Sequence, residues 1–161
     1  MKKLKIAIQG ELGAYSHIAA NNLFKDAEIK TCASFEETFK KAYDDDSFKI
    51  IIPLENSLAG RVADIHYLLP KYNLQIHGEY FLNVQHNLLC RPEANMSDIK
   101  YVRSHAQAIG QCQKIINKNK FQPIISADTA GSAKDLAEGN DKTIAAIASE
   151  LSARTYKLKI L

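Results

Sequence analysis

Cysteine is scarce in this 161-residue chain: Cys32, Cys90 and Cys112 are odd in number, and no two are closely spaced. That excludes a readable disulfide framework or zinc site and leaves reduced, mostly buried thiols of a cytosolic protein as the expectation. No apolar run approaches the length of a membrane-spanning helix. The lysine-rich N-terminus carries only a short apolar stretch, stopping at Gln9-Gly10, so it reads as a first strand and not as a secretory leader. Neither sign of charge dominates. With 21 basic against 18 acidic residues, a net charge of +3 and scattered lysines, nothing resembles a nucleic-acid-binding tail. The histidines His17, His66, His77, His86 and His105 form no H-x-x-x-H or H-E-x-x-H pair. A nucleophile elbow and an aromatic-rich basic strand are both absent. What remains, 46% hydrophobic and 24% charged, is ordinary globular composition. The length suits one domain or two half-size lobes.

Periodicity supplies the architecture. Residues 4–8 predict a strand, followed by a glycine-containing turn and a helix over 17–24 capped by Ser16. A strand over 29–33 precedes a helix capped by Ser34, with Glu37 three residues on, the capping-box pattern. Phe35, Phe39, Ala42 and Tyr43 share that helix's inward face. Residues 48–54 are nearly all apolar, as in a strand buried on both faces. A helix over 62–72 points Val62, Ile65, Leu68 and Leu69 inward. This is βαβαβα, the pattern of a small parallel sheet covered by helices. The alternating stretch 74–90 exceeds one average strand and reads as a strand leaving the first lobe for a second. There the rhythm repeats: strand 99–102, helix 106–119 with Ile109, Cys112, Ile115 and Ile116 inward, strand 123–127, helix 130–138, strand 143–148 and helix 150–156. A final strand begins at 158, and because it reaches only Leu161 the expectation is a sequence that continues beyond it.

Four junctions gather polar groups. Gly10-Glu11-Leu12-Gly13-Ala14-Tyr15-Ser16 lies between a strand and a helix start, where free backbone N–H groups can hold an anion, although a tight turn explains it equally well. It has neither dinucleotide-binding nor Walker spacing. Pro53-Leu54-Glu55-Asn56-Ser57-Leu58-Ala59-Gly60-Arg61-Val62 follows the buried strand, where open α/β sheets place ligands. It combines a carboxylate, an amide, a hydroxyl and a guanidinium; the plainer reading is helix capping by Asn56 or Ser57. In Arg103-Ser104-His105-Ala106-Gln107-Ala108-Ile109-Gly110-Gln111-Cys112, Ser104 is the expected helix cap. Gln107 and Gln111 share one helix face, and His105 reads as a partly exposed loop histidine. Asp128-Thr129-Ala130-Gly131-Ser132-Ala133 is a small-residue helix start capped by Asp128 or Thr129.

Taken together and in register, these segments resemble the catalytic domain of prephenate dehydratase. The matching residues are Gly10-x-x-Gly13-x-Tyr15-Ser16, Pro53-Leu54-Glu55-Asn56-Ser57-x-x-Gly60, Ser104-His105-x-Gln107-Ala108 with Gln111-Cys112, and Asp128 to Ala133. The resemblance implies an α/β, two-lobed fold like type II periplasmic binding proteins, with lobes over 1–78 and 79–161 and an active site they enclose. It implies the decarboxylating dehydration of prephenate to phenylpyruvate in phenylalanine synthesis, in the cytoplasm, without metal or organic cofactor and in a homodimer or homotetramer. Carried over residue by residue, Asn56, Gln111 and Ser104 are the catalytic groups. Tyr15, Ser16, Glu55, Ser57, Gly60, Arg61, His105, Gln107, Thr129, Ala130 and Gly131 bind substrate. Such chemistry suits polar donors, because aromatisation drives the step and the protein needs only to hold a diacid and help a hydroxyl leave.

Two departures accompany the resemblance. Ala106 stands where the family commonly has proline, a modest change at a helix's first turn. The family's Thr-Arg-Phe motif, whose threonine is thought central to acid catalysis, and the phenylalanine-sensing domain that commonly follows have no counterpart here. A truncated chain of little or no activity is therefore expected. Arogenate in place of prephenate, and a non-catalytic small-carboxylate binding protein of the same fold, are the alternatives.

Overall fold

The computed structural model describes residues 3–161. The described residues divide into two compact units, one of residues 3–11 and 15–83, the other of residues 12–14 and 84–161. In the first unit, strand β1 (Lys5–Gln9) leads to helix α1 (Tyr15–Leu23), strand β2 (Glu28–Cys32), helix α2 (Phe35–Asp44) and strand β3 (Phe48–Ile51). All three strands run parallel in the order β2-β1-β3. The doubly buried strand is therefore β1, where Ile6, Ala7 and Ile8 are fully buried. The expected role of the 48–54 segment is corrected: β3 is a four-residue edge strand, only half-buried. Helices α2 and α3 (Ala63–Lys71) cover one layer, packing Phe39, Ile65 and Leu68 with Ile50 and Ile52.

Local chemistry explains most boundaries. The Ser34 hydroxyl accepts a hydrogen bond from the Glu37 N–H at 3.1 Å, and the Glu37 carboxylate accepts one from the Ala33 N–H at 2.8 Å. Ser34→Ala is expected to lower unfolding free energy by about 1 kcal/mol in a urea titration. Two expectations here fail. Ser16 lies inside α1 and caps nothing, since the helix begins one residue earlier at Tyr15. Tyr43 is 61% exposed and makes an edge contact with Tyr72, 5.6 Å between centroids, at the end of α3.

The second unit holds a five-stranded sheet in the order β10-β6-β9-β7-β8. These are β6 (Asn87–Cys90), β7 (Tyr101–His105), β8 (Gln122–Ser126), β9 (Ile144–Ala148) and β10 (Lys159–Ile160). Strands β7, β8 and β9 are parallel, and β6 runs antiparallel to both of its neighbours. Helices cover both faces, which the side-chain alternation of single strands records. Cys90 and Ile147 enter the layer of α4 (Ala106–Gln111) and α5 (Gln113–Lys118). Leu89 and Ala148 enter the layer of α6 (Thr129–Glu138) and α7 (Glu150–Tyr156).

Three further expectations are corrected. Residues 74–86 carry no regular structure, and only Asn87–Cys90 forms a strand. Alternating polar and apolar residues fit any extended chain, paired or not. The single helix expected over 106–119 is two, interrupted at Cys112, whose N–H is shared between the Ala108 and Ile109 carbonyls at 3.0 and 3.2 Å. Ile115 consequently turns outward, 43% exposed, while Ile116 is buried. The strand expected over 99–102 begins later, at Tyr101, and runs on through His105, directly up to the helix start expected at 106.

Candidate active site

In the first unit the parallel register aligns Ile8 with Ile51, so the segments after β1 and β3 leave the same, carboxyl edge of the sheet. That is the edge where open α/β sheets bind ligands. Tyr15 and Ser16, both half-buried, open α1 after β1. After β3 comes a small hairpin that periodicity did not reveal: β4 (Glu55–Asn56) and β5 (Gly60–Arg61) pair antiparallel, Glu55 with Arg61 and Asn56 with Gly60. The hairpin brings together Glu55, Asn56, Ser57, Gly60 and Arg61, of which all but half-buried Asn56 are exposed.

Asn56 builds the turn itself. Its side-chain oxygen accepts hydrogen bonds from the Leu58 and Ala59 N–H groups at 2.9 and 3.0 Å. Gly60 closes the turn at φ +81, a left-handed conformation that disfavours any side chain. Neither Asn56 nor Ser57 caps a helix, as the plainer reading expected; Val62 holds the N-cap position of α3. With its oxygen committed to the turn, Asn56 has only its amide N–H groups to offer a ligand.

The second unit repeats the arrangement. His105 pairs with Ser126 at the carboxyl ends of β7 and β8, so the helix starts that follow them sit side by side. Ser104 does not occupy the first of these starts. It is a fully buried strand residue whose hydroxyl donates to the Ile147 carbonyl at 2.6 Å. The cap is His105, whose Nδ1 accepts from the Gln107 N–H at 3.3 Å, so the loop-histidine reading is replaced as well. Both carboxamides, Gln107 and Gln111, are exposed on α4. At the neighbouring start, Asp128 caps α6 and its carboxylate accepts the Gly131 N–H at 2.5 Å, with Thr129 and buried Ala130 in the first turn.

These segments, in this order, decide the relationship. The model of the family described as "Prephenate dehydratase" matches residues 6–161. The chain belongs to the prephenate dehydratase family. Among relatives, it is 38% identical over 97% of its length to the bifunctional N-acyl-homoserine lactone acylase/prephenate dehydratase of Komagataeibacter europaeus, covering 56% of that protein. It is 36% identical over 99% of its length to the chloroplastic arogenate dehydratase/prephenate dehydratase 2 of Arabidopsis thaliana, covering 42%. Among solved structures, the prephenate dehydratase of Staphylococcus aureus superposes with a TM-score of 0.79 at 26% identity, over 97% of this chain and 58% of that one. The chain thus spans about half the length of the relatives it matches. Its fold class is that of prephenate dehydratases: α/β and periplasmic-binding-protein-like.

Among the described residues, no group of three His, Cys, Asp or Glu side chains is placed to hold a metal ion, and no helix is long and apolar enough to cross a membrane. Three residues around these prephenate dehydratase segments escaped the sequence reading. Ser149 caps α7 and donates to the Gly13 carbonyl at 2.6 Å, while Ser152 donates to the same carbonyl at 3.1 Å. A serine just ahead of the helix expected over 150–156 was the available signal for the cap. The third is His86, whose Nε2 lies 3.0 Å from the Gln111 side-chain oxygen. Burial holds this imidazole below its ordinary pKa, against a smaller upward push from the Gln111 hydrogen bond. Twenty-five residues separate the pair, so no motif could have announced it.

Proposed function

We propose that this protein is a prephenate dehydratase, converting prephenate to phenylpyruvate, water and carbon dioxide in phenylalanine synthesis. The observation that carries the reading is the family match over residues 6–161, which includes the motif carboxamides of Asn56, in the hairpin after β3, and Gln111, at the end of the helix after β7. In the reaction the ring carboxylate leaves as carbon dioxide. Its bonding electrons enter the ring, and the ring hydroxyl departs as water after taking one proton. The substrate is a dianion, so the helpful groups are donors that hold carboxylates and stabilise the departing oxygen. Amide N–H groups of Asn56 and Gln111 supply such donors without adding a charge that titrates. Thr129 and Gly131 belong to the same substrate-binding set, while Ser104 serves from behind by fixing β7 to β9 through Ile147.

Full-length protein supplied with prephenate is expected to generate the ultraviolet absorbance of phenylpyruvate. A parallel assay with arogenate, scored by release of phenylalanine, assigns the preferred substrate. Tight binding of prephenate by calorimetry, with turnover of neither compound, would replace the enzyme with a carboxylate-binding protein.

A further inference from the structure

Gln111 is the last residue of a six-residue helix, with the helical path broken immediately after it at Cys112. Its side chain is exposed. A carboxamide in that setting can present either of two nearly isosteric ends, and they are not equivalent toward an anion. The NH₂ end donates, whereas the oxygen end repels a carboxylate or a departing hydroxyl. Something must therefore choose between them.

The structure holds the oxygen end against His86, at 3.0 Å from Nε2. A carboxamide oxygen only accepts, so the hydrogen must sit on Nε2. Residue 86 immediately precedes β6, an interior strand of the second unit's sheet, which gives the imidazole a fixed base. We propose that His86 is a positioning residue for the dehydratase reaction: its Nε2–H anchors the Gln111 oxygen and so turns the Gln111 NH₂ group toward the substrate. The proposal rests on the function proposed above. Burial keeps the imidazole neutral near pH 7, with one ring hydrogen to place, and the contact with Gln111 places it.

Kinetics of the full-length protein read the claim directly. His86→Ala is expected to lower kcat on prephenate about 10- to 100-fold with a smaller change in KM, because a misaimed donor fails chiefly where charge develops. His86→Gln, which keeps an N–H donor within reach of the Gln111 oxygen, is expected to restore most of that loss. In a Gln111→Ala background, His86→Ala is expected to add nothing further, since its only catalytic route is gone. Losses that multiply in the double variant overturn the proposal, because a purely structural histidine would act independently of Gln111. A measurement without turnover separates this claim from the parent one: two-bond nitrogen–proton correlations of the imidazole should show the Nε2–H tautomer. An Nδ1–H tautomer overturns the proposal whether or not the protein is a dehydratase. Absence of turnover in the unaltered protein, with the Nε2–H form present, removes the dehydratase reading and leaves the anchoring of Gln111 standing.

Discussion

Asn56→Asp is expected to lower turnover of prephenate by about 100-fold or more while leaving the protein folded, an effect typical of losing one preorganised donor at a site of developing charge. The substitution is chosen for what it keeps. The Asn56 oxygen accepts from Leu58 and Ala59, and an aspartate oxygen can do the same, so the hairpin turn survives. What disappears is the N–H₂ end, replaced by a carboxylate that repels a dianionic substrate. Asn56→Ala removes turn and donor together and cannot distinguish the two roles. Steady-state kinetics and a urea titration on the same preparation give the answer. Wild-type turnover in a stably folded Asn56→Asp variant would remove Asn56 from the catalytic set, and with it the residue-by-residue case for the first unit's part in the reaction.

The largest effect on stability is expected at Gly13. Its φ is +93, outside the range in which L side chains are comfortable. A Cβ there would stand 2.4 Å from the Ser152 hydroxyl oxygen and 2.7 Å from the Ser152 Cα. The oxygen could swing aside; the backbone carbon could not. Backbone strain and overpacking together predict a loss of about 2–5 kcal/mol for Gly13→Ala, a large share of a typical domain's stability. Because the Gly13 carbonyl accepts from both Ser149 and Ser152, part of the loss should come from those hydrogen bonds. A comparison with Ser149→Ala, which deletes one donor and the α7 cap but adds no bulk, separates hydrogen bonding from steric conflict. Its expected cost is smaller, about 1–3 kcal/mol. Equal unfolding midpoints for Gly13→Ala and the parent protein would show that residues 12–14 do not sit against α7 in this way.

How legible these features were depended on the length over which each signal acts. The βα rhythm was visible because strands such as Lys5–Gln9 and Ile144–Ala148 bury runs of apolar residues, and Ser34 with Glu37 spells a helix start in three residues. The Glu55–Arg61 hairpin was not, since two-residue strands have no period to detect. The break at Cys112 was hidden because the apolar spacing of Ile109, Cys112 and Ile116 continues through it. Ser104 was misplaced for a physical reason: a serine ahead of a helical pattern normally caps it, but here β7 runs on to His105, and the serine is taken by the Ile147 carbonyl. Asn56 and Gln111 could be picked out as loop and helix-face polar groups, yet the partners that orient them could not. The Asn56 turn is a matter of backbone geometry, and His86 reaches Gln111 only through the fold.

The second unit's sheet ends at β8, and that border has its own defence against company. The N–H of Gln122 points inward to the Lys100 carbonyl, so the next position along the strand turns its nitrogen outward, and that position is Pro123. A visiting strand would meet a ring where it needs a donor, two residues from the outward-lying apolar side chain of Ile125. A greasy, unpaired rim invites self-association, and a proline at such a rim discourages it. Pro123 is therefore expected to hinder strand-to-strand pairing along this edge.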